Sequence, residues 1–230
     1  MSTSPSISSV SPSSSVWPVD VETAVFRSRN FAIVRLANNK AMMDMSLSLR
    51  PIDQSVRGKQ EKLFINCTQI VPHGPNIVAW HALDGPTFRV IAQAIIADQW
   101  ITAISQHRWG KDPTCRVYAA NAPHTKNYQW VDYKGGPDRK QNNAIISRIL
   151  KLTYTDQTDH QYPWALEIQE GPGRATPTGA VLPVAGATPT ARVQMNLSWM
   201  QIVQWMQLGQ EALAAVTHYD MAQWLQTGSS

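Results

Sequence analysis

Basic and flat aromatic side chains occur among apolar residues in several strand-like stretches of this sequence. Cations on strands can neutralise the phosphates of a nucleic-acid backbone, and flat rings can stack on its bases. The basic candidates are Arg27, Arg29, Arg35, Arg50, Arg57, Lys59, Lys62, Lys134, Arg148, Lys151, Arg174 and Arg192. Trp80 and Tyr128 could also stack on bases, but the favoured aromatic candidates are Trp109, Trp130 and Tyr133, whose surroundings are polar and basic. Singly, each could be a solvated charge or a packing residue, so the predicted site depends on many of them sharing one sheet face.

Motifs for metal binding and catalysis are weak in this sequence. Cys67, His73 and His81 form one loose group and Cys115 with His124 another, but neither has the spacing of a zinc site. There is no Gly-x-Ser-x-Gly elbow and no His-Glu-x-x-His motif. We therefore expect a binding protein without a cofactor or a metal, not an enzyme. An active site assembled from distant acids, such as that of a nuclease, remains an open alternative.

Composition indicates a folded protein with a weak preference for polyanions. Of the 230 residues 43% are hydrophobic, which is enough for a sizeable core. Charged residues are 16%, and the formal net charge is +4. A small positive charge favours nucleic acid at low salt without requiring it. Two cysteines do not make a disulfide framework, which predicts a reducing, cytoplasmic location, nucleoid-associated in a prokaryote. No uninterrupted apolar run has the length of a membrane span, so no membrane partner is expected.

The chain divides into a tail and one larger domain. Residues 1–18 are rich in serine and proline and predict a disordered tail, with a transit peptide as the alternative. Residues 19–230 are predicted to form a single domain. Its halves are expected at about 19–110 and 141–217, joined by a polar linker over 111–140.

Period-two patterns predict strands in the first half. Apolar side chains at positions 43, 45, 47 and 49 alternate with polar ones, which is typical of a half-buried strand. Further strands are predicted within 26–36, 63–70 and 77–81. Asp84–Gly85–Pro86 predicts a helix start. Apolar residues at 90, 94, 97, 101 and 104 then form one helix face, and the helix should end near Gly110.

The second half has a similar order of patterns. Strands are predicted over 144–155, 162–169 and 192–197, with turns at Lys134–Pro137 and at Gly171–Gly173. Ser198 and Gln201 form a capping-box pattern that begins a second helix. Its predicted apolar face consists of Ile202, Met206, Gly209, Leu213 and Val216. The predicted fold class is therefore α+β: two strands-then-helix units, with antiparallel twisted sheets and an amphipathic helix packed on each.

The end of this pattern resembles a known family. Residues 193–199, Val-Gln-Met-Asn-Leu-Ser-Trp, lead from a last strand directly into a capped helix. The strand Pro163–Ile168 and the glycine-rich stretch 171–174 precede them. This order is similar to that of the Whirly and positive-cofactor-four single-stranded-DNA-binding regulators, which use four strands and a helix once or twice per chain. The Lys-Gly-Lys-Ala-Ala type of motif found in plant members is not present.

Two functions remain in view from the sequence. The first is a single-stranded DNA or RNA binder in transcription, replication or repair, with strand-borne Arg and Lys on phosphates, stacked aromatics and a steep salt dependence. The second is an oligomeric structural or interaction protein without nucleic-acid binding. In either case the C-terminal helix has more apolar residues than one sheet face requires, namely Trp199, Met200, Trp205, Met206 and Leu208. This excess predicts a homo-oligomer contact through that helix. The alternative is that the first helix of the same chain covers these residues.

Overall fold

The described part of the chain forms two antiparallel sheets and three helices. The computed structural model describes residues 31–38, 40–48, 62–106, 114–138, 143–157 and 160–227. The first elements in the chain are β1 (Phe31–Ala37), β2 (Ala41–Ser48), β3 (Lys62–Gln69), β4 (Ile77–Asp84), α1 (Gly85–Ile96) and α2 (Trp100–Ser105). The remaining elements are β5 (Cys115–Ala119), β6 (Lys126–Asp138), β7 (Ala144–Asp156), β8 (Trp164–Ala175), β9 (Val181–Pro183), β10 (Ala191–Leu197) and α3 (Trp199–Thr227).

Each sheet is built mainly from neighbouring antiparallel strands. The first sheet has the order β1-β2-β3-β4. The second has the order β10-β8-β7-β6-β5, and the short strand β9 pairs with β8. Strands β6, β7 and β8 are 12 or 13 residues long, and all three contact β4 of the first sheet. An α+β fold with antiparallel sheets is therefore confirmed.

The core lies between the inner faces of the sheets and the helices. Met43 and Met45 on β2 are fully buried, which confirms the predicted inward positions that the structure describes on that strand. The predicted inward sets of the second half are also buried: Trp164, Leu166 and Ile168 on β8, and Val193, Met195 and Leu197 on β10. Alternation identified these faces because successive side chains of a strand point to opposite sides.

The first helix differs from its prediction in length and in buried face. It begins at Gly85 as expected, but α1 ends at Ile96, and Asp98 adopts a φ of 54° before α2 begins. The buried face of α1 contains Phe88, Ile91, Ala92 and Ile95, at spacings of three, one and three. Val90, predicted to face inward, is 55% exposed. Ala94 and Ile104 are buried as predicted, but Val90 and Ala97 are exposed, so the predicted face is confirmed only in part. The break after Ile96 permits two separate helix phases.

Two glycine-rich stretches lie inside strands instead of forming the predicted turns. Residues 134–137 belong to β6, and residues 171–173 belong to β8. A Cβ atom on Gly135 would lie 2.6 Å from Val181 Cγ1, and one on Gly173 would lie 2.8 Å from the same atom. The glycines therefore admit the β9 segment onto this side of the sheet. The close packing of β9 against β6 and β8 therefore explains why glycine occupies these two positions.

The segment predicted as a polar linker contributes to the second sheet. Within residues 111–140 the structure places β5 and the whole of β6, so a linker over this whole segment is wrong. The polar, turn-rich character of this segment predicts a linker. Strand β5 gives no burial pattern against that prediction, because it lies at the end of the sheet and its residues 116–119 are exposed. The predicted division into two units remains an interpretation of the element order.

The C-terminal helix begins with the predicted capping box. The Ser198 N–H donates to Gln201 Oε1 at 2.9 Å, and the Gln201 N–H donates to Ser198 Oγ at 3.3 Å. Ile202, Met206, Gly209 and Leu213 are buried, as predicted. Helix α1 packs on α3, and Trp205 meets Phe88 edge-on with ring centroids 6.2 Å apart. Residues of the same chain therefore cover Trp205 and Met206, whereas Met200 is 79% exposed.

Two further predictions concern the N-terminus and membranes. The predicted disordered tail, residues 1–18, lies outside the described residues. Across the described part of the chain, none of the helices combines the length and apolar character needed to cross a membrane.

Candidate nucleic-acid interface

Two aromatic side chains form a platform on the outer face of the first sheet. Phe64 on β3 and Trp80 on β4 are diagonal neighbours, because Phe64 pairs with Ala82 while Asn66 pairs with Trp80. Their ring centroids are 5.9 Å apart with an interplanar angle of 39°. Both residues are only half-buried. We call Phe64 and Trp80 the aromatic platform.

The register of the sheets gathers four of the predicted cations around the aromatic platform. Arg35, Asp44, Asn66 and Trp80 occupy one cross-strand row of the first sheet. Lys62 precedes Phe64 by two residues and shares its face. Lys134 and Arg148 come from β6 and β7 of the second sheet, where they are directly paired residues. Strand pairing and the contact between the two sheets thus bring together residues up to 113 positions apart in the sequence, Arg35 and Arg148.

Arg148 covers one side of the platform. Its guanidinium carbon lies 4.1 Å from the centroid of the Trp80 ring, within the range of a cation–π contact. The same guanidinium donates to Glu170 Oε2 at 2.6 Å and lies 3.8 Å from Asp138 Oδ2. Arg148 is therefore held from two directions, and it holds the Trp80 ring in place in turn.

Lys134 is part of a chain of charges between the sheets. Its Nζ donates to Asp84 Oδ2 at 2.6 Å and lies 3.8 Å from Asp132 Oδ2. Partial burial alone would lower the pKa of Lys134, but the hydrogen bond to Asp84 and the charges of Asp132 and Asp84 outweigh burial and raise it. The amine therefore stays protonated. Asp132 in turn lies 2.8 Å from Nε2 of the fully buried His81, which ties β6 to β4.

The cations around the platform are balanced by carboxylates. Arg35 is 2.6 Å from Asp44, and Lys62 is 3.9 Å from the Asp84 carboxylate that also receives Lys134. Together with the acids beside Arg148 and Lys134, the partners of these four cations are Asp44, Asp84, Asp132, Asp138 and Glu170. A phosphate group would have to compete with these carboxylates. The ion pairs orient side chains at this surface but leave it without an excess of positive charge.

A second charged cluster lies on the outer face of the second sheet. Glu167 on β8 accepts from Lys151 at 2.9 Å and from Arg192 at 2.7 Å, and Gln169 also donates to it. Burial alone would raise the pKa of Glu167, but the hydrogen bonds and charges of Lys151 and Arg192 outweigh burial and lower it. Lys151 and Arg148 are three residues apart on β7 and so point to opposite faces. The predicted cations therefore do not share one face.

The other predicted contacts are dispersed or lie outside the described residues. Trp130 is buried in the core, with only 7% of its surface exposed, so we exclude it from the interface. Tyr133 is half-buried on the outer face of the second sheet, and Arg174 is exposed near the end of β8. Arg27, Arg29, Arg50, Arg57, Lys59 and Trp109 lie outside the described residues.

The loose groups considered for metal binding are not clusters. Among the residues that the structure describes, no three His, Cys, Asp or Glu side chains could hold a metal ion together. Burial, assisted by the charge of Asp44, raises the pKa of Cys67 to about 12. Its thiol therefore stays protonated, whereas metal binding requires the thiolate.

Sequence reasoning missed Phe64 altogether and named Trp80 only as one possible stacking residue. Each follows an inward apolar residue, Leu63 or Ala79, so the short apolar runs 63–65 and 77–80 hide which side chains point outward. The signal that could have revealed them is an aromatic residue at the outward position of an alternating strand.

Comparisons with protein-family models, with curated proteins and with solved structures found no match to this chain. The resemblance to the Whirly and positive-cofactor-four regulators therefore stays a prediction from the sequence pattern.

Proposed function

We propose that this protein binds single-stranded nucleic acid on the outer face of its first sheet, in transcription, replication or repair. The observation that carries the proposal is the aromatic platform, whose half-buried rings lie on a sheet face with four cations around them. Bases of a single strand are accessible for stacking on such rings, whereas those of a duplex are not.

Stacking supplies most of the binding energy in this mechanism. A base stacked on an aromatic side chain is worth roughly 1–3 kcal/mol. Arg148 fixes the Trp80 ring from one side. Lys62 and Lys134 share the carboxylate partner Asp84. When single-stranded nucleic acid binds, these two amines can turn from Asp84 toward a phosphate. The sequence predicts phosphate neutralisation together with stacking, and the ion pairs of these cations are the reason for assigning stacking the larger share.

The alternative is an interaction protein that does not bind nucleic acid. The balanced charges around the platform favour this alternative, because an electrically neutral surface attracts a polyanion weakly. The homo-oligomer contact through α3 and the cytoplasmic or nucleoid location stay predictions. Binding of oligonucleotides separates the two functions directly.

The decisive experiment is a titration of labelled oligonucleotides of about 30 nucleotides, single-stranded and duplex, followed by fluorescence anisotropy at low salt. We expect the single strand to bind more tightly than the duplex. Replacing Trp80→Ala should weaken single-strand binding about tenfold or more, since one stacking contact is lost. Phe64→Leu, which keeps an apolar side chain on the sheet, should weaken it in the same direction.

Tyr162→Ala serves as the matched control, because Tyr162 is an exposed aromatic residue in the connection between β7 and β8. This variant should bind like the wild type. Absence of single-strand binding at low salt would refute the proposed function. Binding that is unchanged in both platform variants would instead place the site elsewhere on the protein.

A further inference from the structure

Strand β5 ends the second sheet and is unusually exposed. Its residues 116–119 are all exposed, with Val117 at 47% and Tyr118 at 43%. The other sheet-end strands are in contact with further elements: β4 and β10 pack on each other, and β1 is contacted by α3. Helix α2 contacts β5 but leaves these four residues accessible. Among the described strands, none pairs with the outer edge of β5.

The hydrogen bonds to β6 show which main-chain groups of β5 face this edge. The Val131 N–H donates to the Thr114 carbonyl at 2.8 Å, and the Ala120 N–H donates to the Thr125 carbonyl at 2.9 Å. In an antiparallel ladder such hydrogen-bonded positions alternate along each strand. The main-chain groups of Arg116 and Tyr118 therefore also face β6, and those of Val117 and Ala119 point to the outer edge.

We propose that β5 pairs with β5 of a second copy of this chain in an antiparallel two-fold contact centred on Val117. Symmetry then places Val117 opposite itself and Arg116 opposite the partner's Tyr118. The outward N–H and C=O groups of Val117 become a hydrogen-bonded pair with those of the partner's Val117. The two second sheets join into one continuous sheet, which removes the open edge.

The side chains of β5 are complementary under this symmetry. Arg116 and Tyr118 lie on the same face, so each copy places a guanidinium beside an aromatic ring, and no like charges meet. The Tyr118 hydroxyl accepts from Gln129 Nε2 at 3.3 Å, which orients the ring. Val117 is β-branched and suits a cross-strand apolar pair. A second copy is thus the occupant that this edge fits, whether or not the protein binds nucleic acid.

Sedimentation velocity over a wide range of protein concentrations tests the contact with a charge-swap pair of variants. The wild type should form dimers as concentration rises. Val117→Lys alone and Val117→Glu alone should each weaken dimerisation about tenfold, since like charges then face each other across the two-fold axis. An equal mixture of the two variants should recover dimers, because opposite charges then meet.

Val90→Lys is the matched control, because Val90 is a valine of similar exposure on α1. It should dimerise like the wild type. Amide hydrogen exchange of the wild type provides a test without substitution: the amides of Val117 and Ala119 should gain protection as concentration rises. A wild type that stays monomeric, or dimers that persist unchanged in both charge variants, would overturn the β5 contact. These outcomes are independent of oligonucleotide binding.

Discussion

Carboxylates determine what the basic residues of this protein can do. Most of the described cations that the sequence predicts as phosphate contacts lie beside an acid. These paired cations are Arg35, Lys62, Lys134, Arg148, Lys151 and Arg192. Among the described candidates, Arg174 is the exception, because it has no ion pair. The exposed pair between Arg35 and Asp44 contributes little to stability. The pairs with low exposure, such as Arg148 with Glu170, fix the positions of side chains.

Glu167 provides a prediction at the scale of single residues. Its pKa in the folded protein is held below the ordinary value of 4.5 by Lys151 and Arg192. A lowered pKa gives a stabilisation that is present at neutral pH and is lost as the pH falls below about 4.5. Glu167→Gln should therefore lower the free energy of unfolding at pH 7 by about 1–3 kcal/mol, with a smaller difference from wild type under acid conditions.

Urea unfolding at neutral and acid pH measures this difference. Glu211→Gln is the control, because Glu211 is an exposed glutamate on α3. It should match the wild type at both pH values. A Glu167→Gln variant that differs from wild type equally at neutral and acid pH would show that the carboxylate charge is not the cause.

Close packing between strands governs the elements of the second sheet. Gly135 and Gly136 are adjacent on β6, yet only the first faces the β9 segment. A Cβ atom on Gly135 would lie 2.5 Å from the Ile146 carbonyl oxygen, whereas one on Gly136 would meet nothing within 4 Å. Packing therefore requires glycine at position 135 but not at position 136.

The two glycines provide a matched pair of variants. Gly135→Ala should lower the free energy of unfolding by about 1–3 kcal/mol, because the strand or the β9 segment must shift to admit the methyl group. Gly136→Ala should be neutral or slightly stabilising, because alanine loses less conformational freedom on folding. Thermal or denaturant unfolding compares them, and equal effects of the two substitutions would contradict the packing of β9 on Gly135.

At the scale of the whole molecule, internal ion pairing limits attraction to polyanions. The chain carries a formal charge of +4, and the acids around the aromatic platform offset the cations there. Each phosphate contact with a single strand contributes about −0.7 to the slope of log affinity against log salt. Paired cations contribute less than free ones because they must first leave their carboxylates.

Removal of one carboxylate should therefore strengthen binding. Asp84→Asn frees Lys62 and removes the nearer of the two acidic partners of Lys134, and Asp84 makes no side-chain capping bond to α1 that would be lost. We expect higher affinity for single strands at low salt and a salt slope steeper by about 0.7–1.4. Asp156→Asn, an exposed residue at the end of β7, changes the net charge equally and should have a smaller effect. Anisotropy titrations at several salt concentrations compare them, and equal gains would contradict a local role for Asp84.

The sequence by itself determined the local features of this protein. Alternation fixed the buried faces of β2, β8 and β10, because a strand has only two sides. The capping box fixed the start of α3, and helical spacing fixed its buried face, because these signals lie within a few residues of each other.

Only the tertiary structure decided which distant residues meet. Asp84 and Lys134 form an ion pair although they are 50 positions apart. The aromatic platform combines Phe64 of β3 with Trp80 of β4, and the guanidinium of Arg148 from the second sheet covers it. Strand register and contact between sheets set these neighbours, and no local pattern encodes them. The burial of Trp130 and the inclusion of Gly135 and Gly173 within strands were decided in the same way, by packing against segments far away in the chain. Residue types therefore indicated aromatic and basic groups on the strands, but the fold decided where the rings lie and which of the charges are already paired.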